Sequence, residues 1–403
     1  MNLCGKVLAI TVATMMLSVT IPFVSGSLES DDDLMNSDQK LSIKFTDKPI
    51  KIFTQQNVIN NSSSQLQKYT SKIESLDTSS ELTSITSSEV MVVIDRDWTI
   101  DKDITVIENN IDRLVKNGNP VIIIDSEPQL LIETGIDLGF NSFCENAQVY
   151  AMIYFPETGA QSCCSISGYN SIDEAIASAY NWADESIALY SASSSFEDLG
   201  PAQDSFFREN CGSYGVISSR TTYHKIYGDN DANRDYYVAH YRFEAKPNSG
   251  YSKSEMRISC DVDDPNKSYG SNQILFTYSP QTTVGTTTVG LDIGAELGYS
   301  GGFTGSVNVG SNWSYSYSDV TVRNNSDIGL NDFNVWHDIN ECTNSGYDPV
   351  MVEPGIVIRV GSNLGECHNY DHYKVQFCKV VLHGTWHNSF TDFEKEMSID
   401  IYE

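Results

Sequence analysis

The residues best placed for bond chemistry are carboxylates at the end of an apolar run. Val90-Met-Val-Val-Ile94 reads as a strand buried on both faces, and Asp95-Arg-Asp97-Trp-Thr99 follows it directly. Carboxylates at strand ends lie where α/β folds build their sites. The Asp-x-Asp-x-Thr spacing suits attack on a phosphoryl group, with Ser126 after the next apolar run as a second element. Such chemistry needs a cation to neutralise the substrate. No Lys or Arg occurs from 117 to 207, while acids continue throughout that stretch. Asp95, Asp97 and Asp125 therefore read as capping and solvated groups. No GxSxG, GxxxxGK[ST] or GxGxxG motif is present. The expectation is a protein that is not an enzyme.

A second constellation has the alternation of a calcium loop: Asp229-x-Asp231-x-Asn233-x-Asp235. Arg234 stands where an EF-hand needs glycine, and His240 stands where it needs glutamate. What is left is a looser calcium-binding hairpin, and calcium is the one cofactor the sequence admits. Asp261, Asp263 and Asp264 form a second acidic cluster.

The start of the chain indicates the compartment. Lys6, the uncharged and mostly apolar stretch Val7–Val24, and the small residues Val24 and Gly26 read as a signal peptide over 1–26, cleaved before Ser27. Eight cysteines then remain: Cys144, Cys163, Cys164, Cys211, Cys260, Cys342, Cys367 and Cys378. An even number in an exported chain predicts disulfides, and sequence cannot choose among 105 pairings. A secreted or cell-surface location follows.

Composition sets further bounds. The 403 residues carry 25 basic and 54 acidic side chains, a net charge of −29. A phosphate backbone repels so acidic a surface, which excludes nucleic acid as a general partner. Hydrophobic residues make up 40% and aromatics 11%, enough for packed cores.

The elements that must position these groups fall into three regions. Residues 27–88 are rich in Ser, Thr, Gln and Asn and read as a linker or pro-segment. Residues 89–198 alternate buried strands (Val90–Ile94, Pro120–Ile124, Val149–Phe155) with helices. One helix carries Ile104, Ile107, Ile111, Leu114 and Val115; another opens at the capping box Ser171-x-x-Glu174. That order predicts a small α/β domain with a parallel sheet. Residues 205–403 show strand-like runs at Val216–Tyr227, Tyr236–Ala245, Met256–Val262, Gln273–Tyr278, Phe333–Ile339, Ile356–Val360 and Tyr373–Leu382. Their spacing predicts an antiparallel β-sandwich. The fold class expected is thus α+β, multidomain.

Within the sandwich, residues 284–322 stand apart. One arm carries Val289, Leu291, Ile293, Ala295, Leu297 and Tyr299 at odd positions, with Gly, Asp and Glu between them. After Ser300-Gly-Gly302 the second arm carries Phe303, Val307, Val309, Trp313, Tyr315 and Tyr317, faced by Thr, Ser, Asn and Gly. This is a long amphipathic β-hairpin. Its arms match the roughly 9–11 residues of a tilted membrane strand, and Trp313, Tyr315 and Tyr317 suit an interfacial girdle. A sandwich hairpin with one buried face has the same period.

The order strand, Tyr278-Ser-Pro280, Gly-rich alternating hairpin, Ser318-Asp-Val320 and Trp336 resembles the leukocidin and hemolysin family of β-pore-forming toxins over roughly residues 250–340. The resemblance implies that Val289–Tyr317 is a stem hairpin released from a cap sandwich. Homo-oligomerisation and membrane insertion would follow, without bond chemistry. The domain at 89–198 has no counterpart in the core family. The alternative is a cell-surface binding or adhesion module whose hairpin stays packed.

Overall fold

A computed structural model describes residues 48–54, 66–124, 129–190, 199–227, 233–262, 273–280, 284–285, 320–361, 366–383 and 385–402. All of them belong to one compact unit, Lys44–Glu403. The expected signal segment and the start of the expected linker lie outside the described residues.

The first strands come in quick succession: β1 (Ile50–Phe53), β2 (Ile73–Leu76), β3 (Met91–Asp95), β4 (Val121–Ile124), β5 (Phe140–Phe143), β6 (Val149–Phe155) and β7 (Ala160–Ser167). Helices α1 (Ser79–Ser84), α2 (Arg96–Thr99), α3 (Ile104–Lys116), α4 (Gln129–Asp137) and α5 (Ile172–Tyr190) are set among and after them. Local chemistry starts these helices. Thr78 and Glu81 form a reciprocal capping box at α1, and Asp103 caps α3 through the Thr105 amide. Ser171 accepts from the Glu174 amide as α5 begins. Gly118, at φ 85°, provides the left-handed turn after α3.

The second half is almost all strand: β8 (Gln203–Asn210), β9 (Gly215–Ile226), β10 (Arg234–Pro247), β11 (Ser252–Asp261), β12 (Gln273–Ser279), β13 (Val284–Gly285), β14 (Val320–Asn324), β15 (Asp332–Ile339), β16 (Val350–Val352), β17 (Gly355–Gly361), β18 (Glu366–His383) and β19 (Thr385–Tyr402).

Two sheets result. The larger runs β12-β17-β10-β9-β8-β7-β6-β4-β3-β1-β2, with β16 paired to β10. The smaller runs β13-β14-β15-β11-β18-β19-β5. Strands from 89–198 and from 205–403 therefore share one sheet, joined by the parallel pair β7–β8. The segment expected as linker supplies β1, which lies between β2 and β3.

The parallel sheet expected for 89–198 is corrected to a mixed one. β2, β1, β3 and β4 are parallel, but β4 pairs antiparallel with β6, and β6 with β7. The reason is the excursion between β4 and β6. Helix α4 leads into β5, which joins the edge of the other sheet beside β19, so the chain re-enters the large sheet from its opposite end.

Two cores hold these layers. One fills the space between the sheets and extends under α3 and α4, through Ile107, Ile111 and Leu114, Val92 and Ile94, Tyr223, Phe243, Phe333 and Val375. The other lies on the opposite face of the large sheet under α5, where Ala175, Ala179, Trp182 and Ala183 meet Val93, Ile122 and Ala151. Burying Trp182 fully leaves its indole N–H needing a partner, and Ser162 accepts it at 3.1 Å.

The expected disulfides are also corrected: all eight cysteines are free thiols, seven of them buried and Cys342 exposed. Cys163 and Cys164 are consecutive on β7, so their side chains leave opposite faces of the sheet, one into each core. They act there as small apolar groups. Burial pushes the Cys144 thiol up to about 11 and the Cys163 thiol up to about 12, so both stay protonated and unreactive at neutral pH.

Candidate functional site

The hairpin expected at 284–322 is the candidate site, and the structure describes its two roots. The large sheet hands the chain over at the end of β12, and β13 then begins at the edge of the small sheet. Val284 pairs with Val322 and Gly285 with Thr321, antiparallel. Residues 286–319 lie outside the described residues, including the arms Val289–Tyr299 and Phe303–Tyr317 with their twelve apolar positions.

The returning root is fastened on one side. Val320 and Val322 are buried and Thr321 is exposed, so β14 alternates as a strand with one covered face, its buried positions even where the apolar positions of the expected hairpin are odd. It pairs with β15 from Val320↔Ile339 to Asn324↔Val335. On the outer face, Arg257, Trp336 and Arg323 form a cross-strand row: Arg257 pairs with Trp336, and Trp336 with Arg323. The guanidinium carbons lie 4.9 Å and 5.7 Å from the indole ring centre, one from each side. Cation–π contacts of this kind contribute about 0.5–1 kcal/mol each at exposed sites. Asn334 accepts from the Trp336 indole at 2.7 Å and from Arg257 at 2.9 Å, and Asp338 accepts from Arg323. The row holds β14 to β15 and β15 to β11. Among the described residues, β13 is the outermost strand of its sheet and pairs over two residues.

Register shows where the hairpin leaves. Thr321 stands beside Asp338, Asp338 beside Glu255, and Glu255 beside Gln376. The roots Gly285 and Val320 therefore lie toward the end of the small sheet where Ser252 meets Cys378. At that same end the β18–β19 ladder overruns β11 and continues to His383↔Thr385.

Other expected site residues fall elsewhere. Asp95 is buried and caps α2: its Oδ1 accepts from the Asp97 amide at 3.1 Å and its Oδ2 from Thr54 at 2.9 Å. Thr99 donates to the Arg96 carbonyl, and Trp98 packs on Phe53, so the three motif residues do not converge. Asp125 and Ser126 lie outside the described residues. So do Asp229 and Asp231 of the expected calcium hairpin. Of its described members, Asp235 accepts an ion pair from Lys225 at 3.0 Å. No group of three or more His, Cys, Asp or Glu suited to a metal occurs among the described residues. None of the described helices is long and apolar enough to cross a membrane.

Two buried polar clusters escaped the sequence reading. Under α5, Asp204 accepts from Arg220 at 2.9 Å and from Ser162 at 2.5 Å, and Arg220 also reaches Ser186 and Glu185. Between the sheets, Asp371 gathers tyrosine hydroxyls. Each lone acid sits in a strand with no local motif, and only the pairing of distant strands brings its partners together.

No family model matches the chain, and no curated protein matches it. Among solved structures, Clostridium perfringens delta-toxin is similar over 50% of this chain and 89% of its own, at 9% identity and a TM-score of 0.31. A structure described as a pore forming protein is similar over 50% of this chain and 92% of its own, at 11% identity and a TM-score of 0.31. The Clostridium perfringens NetB toxin in its membrane-inserted form is similar over 49% of this chain and 95% of its own, at 10% identity and a TM-score of 0.29.

Proposed function

We propose that this chain is an exported β-pore-forming protein. Several copies assemble on a membrane, and each contributes residues 286–319 as two strands of a closed barrel. The chemistry is one of partitioning, with no bond made or broken. Alternation supplies the two faces a barrel needs: Leu291, Ile293 and Leu297 to lipid, Asp292, Glu296 and Asn308 to water. Assembly is required because a lone hairpin in hydrocarbon leaves unpaired backbone groups along both edges, whereas closure satisfies all of them.

One observation carries the reading. The segment is rooted at the edge of a sheet, with a two-residue pair on the outgoing side and a strand fixed by the Arg257–Trp336–Arg323 row on the returning side. Such roots let the segment between them move while the sandwich keeps its register. The overrunning β18–β19 ladder would approach the same membrane, since it projects from the same end.

Dye release from liposomes tests this. The protein from Ser27 onward is compared with a variant in which 287–318 are replaced by a short Gly-Ser linker. The expected result is release by the parent chain and none by the variant, with both unfolding at the same urea midpoint. Equal release by both would remove the hairpin from the mechanism. No release by the parent on zwitterionic, anionic or sterol-containing vesicles would favour the binding module with a packed hairpin.

A further inference from the structure

We propose that Asp371 is a pH-sensitive latch between the two sheets of the sandwich, its carboxyl group setting how firmly they hold together as it gains or loses a proton. This inference is independent of what residues 286–319 do.

Asp371 lies on β18 of the small sheet and is 0% exposed. Its Oδ2 accepts from the Tyr223 hydroxyl at 2.8 Å and the Tyr373 hydroxyl at 3.2 Å. Its Oδ1 accepts from the Tyr241 hydroxyl at 2.8 Å and the Asn369 amide at 2.7 Å. Tyr223 and Tyr241 come from β9 and β10 of the large sheet, so two of these bonds cross the core. The donor directions are fixed by a further ring of contacts. Asn369 also donates to the Tyr223 oxygen at 2.8 Å, which turns the Tyr223 proton toward Asp371. Thr221 and Tyr373 share a hydrogen bond at 2.7 Å, and Cys260 donates to Asn369. Four donors on two oxygens saturate an ionised carboxylate.

What faces this carboxyl group is uncharged at neutral pH. Tyr223 comes from β9, Tyr241 from β10, Cys260 from β11, and Cys367 and Tyr373 from β18; Phe333 of β15 stacks on Tyr241. Burial holds Tyr223, Tyr241, Tyr373, Cys260 and Cys367 above their ordinary values. No Lys, Arg or His is among the described hydrogen-bond partners of Asp371. An anion here has donors but no counter-charge. Burial therefore raises its pKa to about 7, against the pull of the four donors.

The direction of the effect follows from linkage. Below about 7 the folded chain carries a proton on Asp371, while an unfolded chain releases it down to the ordinary value of 3.8. Between those limits the folded state binds more protons, so this group's contribution to stability falls as pH rises. Mildly acidic medium fastens the sheets, and neutral-to-alkaline medium loosens them.

Urea midpoints of the full chain, of Asp371→Asn and of Tyr241→Phe, taken at about pH 5.5 and about pH 8.5, test the latch. The parent is expected to lose at least roughly tenfold more of its folded-to-unfolded ratio across that interval than Asp371→Asn. Other titrating groups are common to all three chains and cancel in the difference. Tyr241→Phe removes one donor to the anion, so its loss is expected to run on to higher pH and to be larger across that interval than the parent's. If Asp371→Asn does not fold, the larger loss in Tyr241→Phe decides the matter. Equal pH dependence in all folded chains, or a smaller loss in Tyr241→Phe than in the parent, would overturn the proposal.

Discussion

The two halves of the large sheet bury their residues differently, although they belong to one continuous ladder. In β3, β4 and β7 every residue is buried, because α5 covers one face and the interior core the other. In β12 and in β15 of the facing sheet, buried and half-buried residues strictly alternate, because one face meets water. Strand periodicity therefore reports what covers the strand, independently of which sheet it joins. The alternation of 289–317 puts that segment in the second class, with one apolar face to be covered by protein or by lipid.

Substitutions can break this contrast, beginning with the largest effect. Arg220→Ala leaves Asp204, 0% exposed, without its counter-charge under α5. A loss of about 3–5 kcal/mol in urea unfolding is expected. In the helix-covered half, neighbours are equivalent: Ile122→Ala and Ile123→Ala should each cost about 2–5 kcal/mol, one through each core. In the alternating strands, such as β14 of the small sheet, neighbours differ. Val322→Ala should cost about 1.5–3 kcal/mol, and Thr321→Ala no more than about 0.5 kcal/mol. Equal costs at 321 and 322 would contradict the alternation at the hairpin root.

The thiols sharpen the same contrast without altering stability. A maleimide or Ellman reagent should modify Cys342 quickly in the folded chain, and the other seven cysteines of Ser27 onward only after unfolding. Fewer than eight thiols in the unfolded, unreduced protein would show that disulfides form.

Much of this fold was legible. The runs at 216–227, 236–245, 256–262, 273–278, 333–339 and 356–360 became β9, β10, β11, β12, β15 and β17 with small changes at their ends. β19 was not seen, because Asp392, Glu394 and Glu396 make its sequence read as a charged run. These acids lie on the outer face, where Asp392 and Glu394 meet Lys374, while Met397, Ile399 and Ile401 point inward. Strand direction was misjudged at β6 because nothing local shows that β5 leaves for the other sheet. The cysteines misled through their even number, since the face each one occupies depends on strands paired far apart in sequence. For the candidate site, period and the Gly-Gly turn predict a hairpin whose arms lie outside the described residues, and the Arg–Trp–Arg row at its returning root needed the register of three strands.

The central claim is that 286–319 enter lipid with one face. The direct measurement places single cysteines in turn at positions 289–294 of a Cys342→Ser chain, labels each with an environment-sensitive dye, and records emission on liposomes. The account predicts that labels at Val289, Leu291 and Ile293 shift to the blue and are quenched by lipid-borne nitroxides. Labels at Gly290, Asp292 and Gly294 should stay as they are in water. Membrane-bound protein with no difference between the two sets would contradict it.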